Sequence, residues 1–195
     1  MGHGVEAQRL RREGRAVIGG TPYTDRLEDD KPFGQRELKR AGVKILPFFE
    51  FDDVDAAIQF VRRNPARYVF KPGGELQHTK SFVYVGEEED GRDLVAMLRR
   101  FKVAASVGAA FQLQPRVYGV ELAVGAFFNG ERFLPPINVN FEHKRLFPGE
   151  IGPMTGEMGT AMFWREECAV FDRTLGLMAP ALRAEGYRGY IDLNC

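Results

Sequence analysis

Glu142-His143-Lys144-Arg145, followed by Gly149-Glu150-Ile151-Gly152-Pro153-Met154-Thr155-Gly156-Glu157-Met158-Gly159, most narrows what this chain can become. A basic tetrapeptide runs into four glycines and a proline. Glycine admits left-handed backbone and lets main-chain N–H groups approach a ligand closely. Lys144 and Arg145 add fixed positive charge suited to carboxylate or phosphate oxygens. Ordering such a stretch is costly in chain entropy, so it reads as an anion-binding loop rather than a connector. A glycine-rich surface loop with incidental charges has the same composition.

At 195 residues the chain suffices for one large domain or two small ones. Lys+Arg 27 balances Asp+Glu 27, which argues against broad electrostatic capture of nucleic acid. Cys168 and Cys195 lack metal-ligand spacing, and His3, His78 and His143 are dispersed, so neither set forms a metal motif. No apolar run approaches the roughly twenty residues of a membrane helix, and residues 1–15 lack a signal-peptide core. A cytoplasmic protein, monomeric or homodimeric, is the expectation.

Gln8–Gly14 reads as the end of a helix, and Ala16-Val17-Ile18 as a short buried strand. Lys31–Arg40 reads as a helix with Pro32 in its first turn and Gly42 as its stop. Ile45–Phe51 reads as extended. Val54, Ala57, Ile58 and Val61 recur at helical spacing behind a cap at Asp52 or Asp53. Tyr68–Lys71 and Ser81–Val85 read as strands around a glycine loop, with Leu94, Met97, Leu98 and Phe101 marking the next helix. Strands follow at Phe111–Val117, Val120–Phe128 and Arg132–Phe141, the last two joined by the hairpin signal Asn129-Gly130. Phe171, Leu175, Met178 and Leu182 form one helical stripe closed by Gly186, and Gly189–Leu193 reads as the last strand. The order implies an α+β fold of two lobes with a cleft between them, a common place for a nucleotide.

Lys71 shares a strand face with Val69, and a lysine on an inward face is costly unless an anion faces it. A lysine snorkelling to water gives the same pattern. Lys31, in Glu28-Asp29-Asp30-Lys31, is a second candidate phosphate cation or simply a charged helix start. Gln112 and Gln114 share a face of their strand, with Leu113 between them and Glu121 on the strand after. An amide suits a purine edge and a carboxylate suits ribose hydroxyls, although polar residues on a solvent-facing edge strand look alike. Asp192 and Asn194 share a face of the final strand, where a carboxylate suits Mg²⁺. Gly73–Ser81 reads as a flap over phosphates with Lys80 as a further cation. Neither a P-loop nor a GxGxxG fingerprint is present, and no nucleophile-elbow serine appears.

Taken in order, these pieces resemble the ATP-grasp superfamily, and within it the glycinamide ribonucleotide synthetase (phosphoribosylamine–glycine ligase) family. The resemblance runs from about Ala16 to Leu193. Tyr68-Val69-Phe70-Lys71-Pro72 resembles the strand whose basic residue holds nucleotide phosphates, and Gln112–Glu121 resembles the hinge strand at adenine and ribose. The opening motif is similar to the family's Asp-His-Lys-Arg followed by Gly-Asp-x-Gly-Pro-Asn-Thr-Gly-Gly-Met-Gly. Arg188-Gly189-Tyr190-Ile191-Asp192 resembles a strand whose acid binds Mg²⁺. Gln114 stands where the family has an acid, Met154 where it has asparagine, and Glu157 where it has glycine.

The resemblance implies an ATP-dependent carboxylate–amine ligase working through an acyl phosphate in purine biosynthesis, with ATP and Mg²⁺ and small-molecule acid and amine partners. Nucleotide contacts fall to Lys31, Lys71, Lys80, Gln112, Leu113, Gln114 and Glu121. His143, Lys144 and Arg145 would be catalytic. Gly152, Pro153, Thr155, Gly156, Met158 and Gly159 would hold substrate, and Asp192 would hold the metal. Residues 1–25 are expected to be the tail of a preceding α/β domain, and 26–195 an ATP-grasp module with lobes near 66–112 and 113–195. The family's final Glu-x-Asn strand is missing, so a fragment, or a non-catalytic nucleotide-binding or regulatory module, is the alternative. An interaction domain without nucleotide is a third.

Overall fold

The computed structural model describes residues 2–73, 83–104, 110–149 and 151–195, apart from the side chains of 103, 104, 154 and 156. The expected flap and Lys80 lie outside the described residues. The fold is α+β, and the chain divides into two compact units, Leu46–Gly119 and Met1–Ile45 with Val120–Cys195.

The 46–119 unit is a four-stranded antiparallel sheet backed by two helices. Its strands are β1 (Phe49–Phe51), β2 (Tyr68–Pro72), β3 (Tyr84–Val85) and β4 (Phe111–Pro115), in the order β1-β4-β2-β3. Only the last three residues of the expected extended run Ile45–Phe51 pair as β1, against β4. That pairing places residues before 66 in this unit. Helix α4 (Val54–Arg63) starts where Asp53 accepts from Asp55 N at 2.9 Å, and its arginines Arg62 and Arg63 suit the negative helix end. Helix α5 spans Arg92–Ala104.

Period-two alternation decides which sheet face meets those helices. Tyr68 and Phe70 of β2, with Phe111 and Leu113 of β4, pack against Ala57, Ile58, Val61, Leu94 and Leu98. Each large apolar side chain buried there contributes about 1.5–3 kcal/mol. The residues between them, Val69, Lys71, Gln112 and Gln114, are thereby turned to the opposite face.

The other unit holds helices α1 (Gly4–Arg12), α2 (Pro22–Asp29) and α3 (Lys31–Arg40) and a second antiparallel sheet. Asp30 caps α3 by accepting from Phe33 N at 3.0 Å. The sheet comprises β5 (Ala123–Phe128), β6 (Phe133–Phe147), β7 (Ile151–Arg165) and β8 (Gly189–Asn194), in the order β7-β6-β5-β8. Asn129 closes the β5–β6 turn, its side-chain oxygen accepting from the N–H groups of Glu131 and Arg132. One sheet face, carrying Val124, Ala126, Phe128, Ile137 and Val139, packs against Phe171, Leu175, Met178, Leu182 and Tyr187.

Three expectations are corrected here. Ala16-Val17-Ile18 is not a buried strand: Ile18 is 78% exposed, and the nearby sheet contact is a single bridge from Gly19 to Arg188. The Arg11 guanidinium takes the carbonyls of Val17, Gly19 and Gly20 instead of a neighbouring strand. The stripe Phe171–Leu182 is buried as expected, yet it is not one helix. It comprises α6 (Ala169–Arg173), a 3₁₀ turn (Leu175–Met178) and α7 (Ala179–Ala184). Thr174, whose hydroxyl donates to Val170 O at 2.6 Å, breaks helical geometry there, and Pro180 has no N–H to carry a helix through.

The third correction concerns the glycine stretch. It is not a free loop but strand β7, paired along β6 from Ile137↔Arg165 to Phe147↔Ile151. Pairing with β6 takes up main-chain groups that a loop would have offered to a ligand. The ladder slips twice, between His143 and Arg145 and between Arg145 and Phe147; at the first slip His143 faces Gly159 while Arg145 faces Met154, so Thr155–Met158 all stand opposite Lys144. Left-handed backbone occurs at Gly149 (φ +73) in the turn and Gly152 (φ +89), where an added Cβ would also meet the Phe147 ring at 2.9 Å.

Candidate functional site

In the 46–119 unit, register places Lys71 opposite Gln112 and Val69 opposite Gln114. Lys71 does share a face with Val69, but that face is turned away from α4 and α5. Its ammonium donates to Gln114 Oε1 at 2.6 Å. Both glutamines are 5% exposed, and Gln112 Nε2 has no hydrogen-bond partner among the described residues. A buried amide donor without an acceptor costs roughly 1–3 kcal/mol, so this face suits an oxygen-rich or purine ligand. Leu113 points the other way, fully buried in the core, and only its main chain could meet a nucleotide.

The second polar face belongs to the β7-β6-β5-β8 sheet, on the side opposite its hydrophobic core. Register lines up Trp164, Asn138, Gly125 and Asp192 in one row, and Met162, Asn140, Ala123 and Asn194 in the next. Glu142 and Thr160 form a third. A concavity of about 340 Å³ opens over them, lined also by Glu157 and Tyr190. Gly125 makes room for it: a Cβ there would lie 2.2 Å from the Tyr190 hydroxyl and 2.9 Å from Asp192 Cβ. Tyr190 Oη donates to Asn138 Oδ1 at 3.3 Å, and Asn140 Nδ2 donates to the same oxygen at 3.1 Å.

Charge on this face is predominantly negative. Burial pushes the Asp192 carboxyl above its ordinary value, reinforced by the charges of Glu142, Glu28 and Glu157. A cation relieves both effects, and Mg²⁺ takes hard oxygens, commonly one or two protein carboxylates plus phosphate oxygens. Asp192, with Asn194 on the same strand face, fits that role. Among the described residues no group of three His, Cys, Asp or Glu side chains forms a ready-made metal cluster.

The remaining expected residues are dispersed along the hairpin. Lys144 bonds to Glu121 and lies 3.2 Å from Glu142. Burial opposes its charge, but the hydrogen bonds and charges of those two carboxylates outweigh it and hold the pKa above normal. Glu121 precedes β5 rather than lying in it. His143 Nε2 contacts Phe147 O at 3.1 Å, Arg145 donates to Gly152 O at 2.8 Å, and Thr155 Oγ1 donates to Lys144 O at 2.8 Å. Pro153 and Met158 are exposed, while Gly159 pairs with His143. Lys31 opens α3 and belongs to the same unit as Asp192, whereas Lys71 belongs to the other. Asn138, Asn140, Thr160, Trp164 and Tyr190 were not anticipated. The alternation Asn138-x-Asn140-x-Glu142 was the available signal, since it marks one polar strand face.

The profile of the family described as phosphoribosylglycinamide synthetase, ATP-grasp (A) domain, matches residues 29–171. The chain belongs to this family. Among its relatives, the phosphoribosylamine–glycine ligase of Methanocella arvoryzae is 31% identical over 160 residues, covering 79% of this chain and 34% of the relative. That of Yersinia pestis is 29% identical over 150 residues, covering 77% and 35%. The chain thus spans about a third of the length of these ATP-grasp relatives. The fold agrees with the crystal structure of phosphoribosylamine–glycine ligase from Thermotoga maritima, at TM-score 0.67 and 23% identity over 91% of this chain and 46% of that one. It also agrees with D-alanine–D-alanine ligase from Bacillus anthracis, at TM-score 0.55 and 16% identity over 98% and 59%.

Proposed function

We propose that this chain is the nucleotide-gripping part of an ATP-dependent carboxylate–amine ligase of the phosphoribosylamine–glycine ligase kind. The observation that carries the reading is the Lys71 ammonium beside two buried glutamines, one with an unused donor, on a face that its own helices do not cover. Cations and amide donors on such a face suit phosphate oxygens and a purine edge.

In the proposed reaction a substrate carboxylate oxygen attacks the γ-phosphorus of ATP and ADP leaves. An amine nitrogen then attacks the carbonyl carbon of the acyl phosphate, inorganic phosphate leaves, and the surplus amine proton passes to solvent or a nearby carboxylate. Such chemistry is mostly positioning and charge neutralisation. Lys71 would hold phosphate oxygens, with Lys31 and Lys80 as further cations. Gln112 and Gln114 would read the base, with the main chain of Leu113. Glu121 would accept from ribose hydroxyls while keeping Lys144 in place. His143, Lys144 and Arg145 would hold the transferred group. Gly152 to Gly159 would contact the acid substrate, chiefly through the out-of-register residues Thr155–Met158. Asp192 would hold Mg²⁺, which when bound neutralises phosphate charge.

The test is phosphate release from ATP with glycine and candidate amines. Release that requires both acid and amine supports the ligase. Nucleotide binding without release supports a non-catalytic module instead.

A further inference from the structure

A second hollow, of about 500 Å³, is lined by α2, α3 and the segment Leu177–Glu185, all within the unit that holds Asp192. Its size lies in the range of small-molecule sites. Tyr23, Ala41 and Ala181 of its wall pack against the hydrophobic core of the β7-β6-β5-β8 sheet. The concavity with Asp192 opens on the opposite face of that sheet, and the proposed ligase chemistry uses no residue of this second hollow.

Opposite charges stand around its apolar floor, which is made by Ala41, Leu177, Pro180 and Ala181. Glu37 is already engaged: the Tyr23 hydroxyl donates to its Oε2 at 2.8 Å, and Arg40 Nη1 lies 3.6 Å from its Oε1. The second distance is longer than a hydrogen bond, and the Arg40 side chain is 83% exposed, so its guanidinium keeps donors for a further anion. Glu185 follows the last turn of α7, and its carboxylate makes no hydrogen bond or ion pair among the described residues. The negative end of α7 adds to its pull on a cation. Both charges reach the Tyr23 hydroxyl. Burial raises its pKa, the hydrogen bond and charge of Glu37 and the charge of Glu185 add to this, and Arg40 opposes them.

A simple anion would meet two carboxylates and leave Glu185 without a partner. A simple cation would leave the spare donors of Arg40 unused. A molecule carrying both charges on a short apolar body answers both side chains and covers the floor. We infer that this hollow binds a free α-amino acid with an aliphatic side chain, in its zwitterionic form. Its carboxylate accepts from Arg40, its ammonium group donates to Glu185, and its side chain lies against Leu177 and Pro180. The site is independent of the ligase reading.

The full chain is titrated calorimetrically at pH 7 with leucine, leucinamide, 4-methylpentanoate and glycine. Leucinamide lacks the carboxylate, 4-methylpentanoate the ammonium group and glycine the side chain. The expected result is saturable heat with leucine, and binding about tenfold or more weaker for each of the other three. Arg40→Gln should weaken leucine about tenfold and leave leucinamide unchanged, whereas Glu185→Gln should weaken leucine and leave 4-methylpentanoate unchanged. Both side chains are exposed, so both variants should keep the wild-type melting curve. No saturable binding of leucine, or leucinamide or 4-methylpentanoate binding the wild type as tightly as leucine, overturns the proposal whatever the variants do. Leucine affinity unchanged in either folded variant overturns it too, and so does glycine binding as tightly as leucine. Phosphate release is read separately: its absence removes the ligase reading and leaves this site, whereas turnover without leucine binding removes only the site.

Discussion

Lys71 Nζ donates to Gln114 Oε1 at 2.6 Å across adjacent strands, turning a buried amide into the partner of a cation. Neither residue contributes to the hydrophobic core on the reverse of the sheet. The pair places a charge on the sheet face opposite that core.

Gln114→Ala is expected to destabilise the 46–119 unit by roughly 1–3 kcal/mol, because a partly buried ammonium loses an oriented acceptor. Urea denaturation of wild type and variant measures this. Equal midpoints would mean that water or another group replaces the amide without loss.

Asp93 sets an acid limit on the same unit. Its carboxylate accepts from Glu87 N at 2.7 Å, Leu94 N at 2.8 Å and the Tyr84 hydroxyl at 3.2 Å, tying the segment before α5 to its first turn. Burial raises its pKa, but these hydrogen bonds outweigh burial and leave it below the ordinary 3.8. A depressed folded pKa gives stability that is fully present above 3.8 and lost as pH falls through the folded value. Asp93→Asn should therefore lower the melting temperature at pH 7, with the difference shrinking below pH 3.8. A constant difference across that range would contradict the assignment.

Asp192 carries the opposite sign. Its folded pKa is raised, so the ionised form destabilises the native protein as pH rises through that value, and there is no difference well below 3.8. Asp192→Asn is expected to raise the melting temperature of the ligand-free protein at pH 7 and to abolish any stabilisation by Mg²⁺ with nucleotide. A variant melting lower than wild type at pH 7 would show that the carboxylate is needed structurally.

Much of this arrangement was legible in the sequence because it follows from local rules. The capped helix at Val54–Arg63, the Asn129-Gly130 hairpin and the shared face of Gln112 and Gln114 all come from periodicity and turn chemistry. The glycine stretch misled because glycine tolerates loop and strand backbone alike, and only β6 decides between them. The break at Thr174 was hidden because the burial stripe is continuous even where the helix is not. Asn138 and Asn140 escaped notice because, alternating with Ile137, Val139 and Phe141, they look like the outer face of any strand. Their significance depends on β5 bringing Asp192 into the same row as Asn138.

Calorimetric titration with a non-hydrolysable ATP analogue and Mg²⁺, on wild type and on Lys71→Met, bears most directly on whether this chain grips a nucleotide. Saturable binding by the wild type, weakened about tenfold to a hundredfold in a variant with an unchanged melting curve, is the predicted result. Equal affinity in the two proteins, or no heat from either, would contradict it.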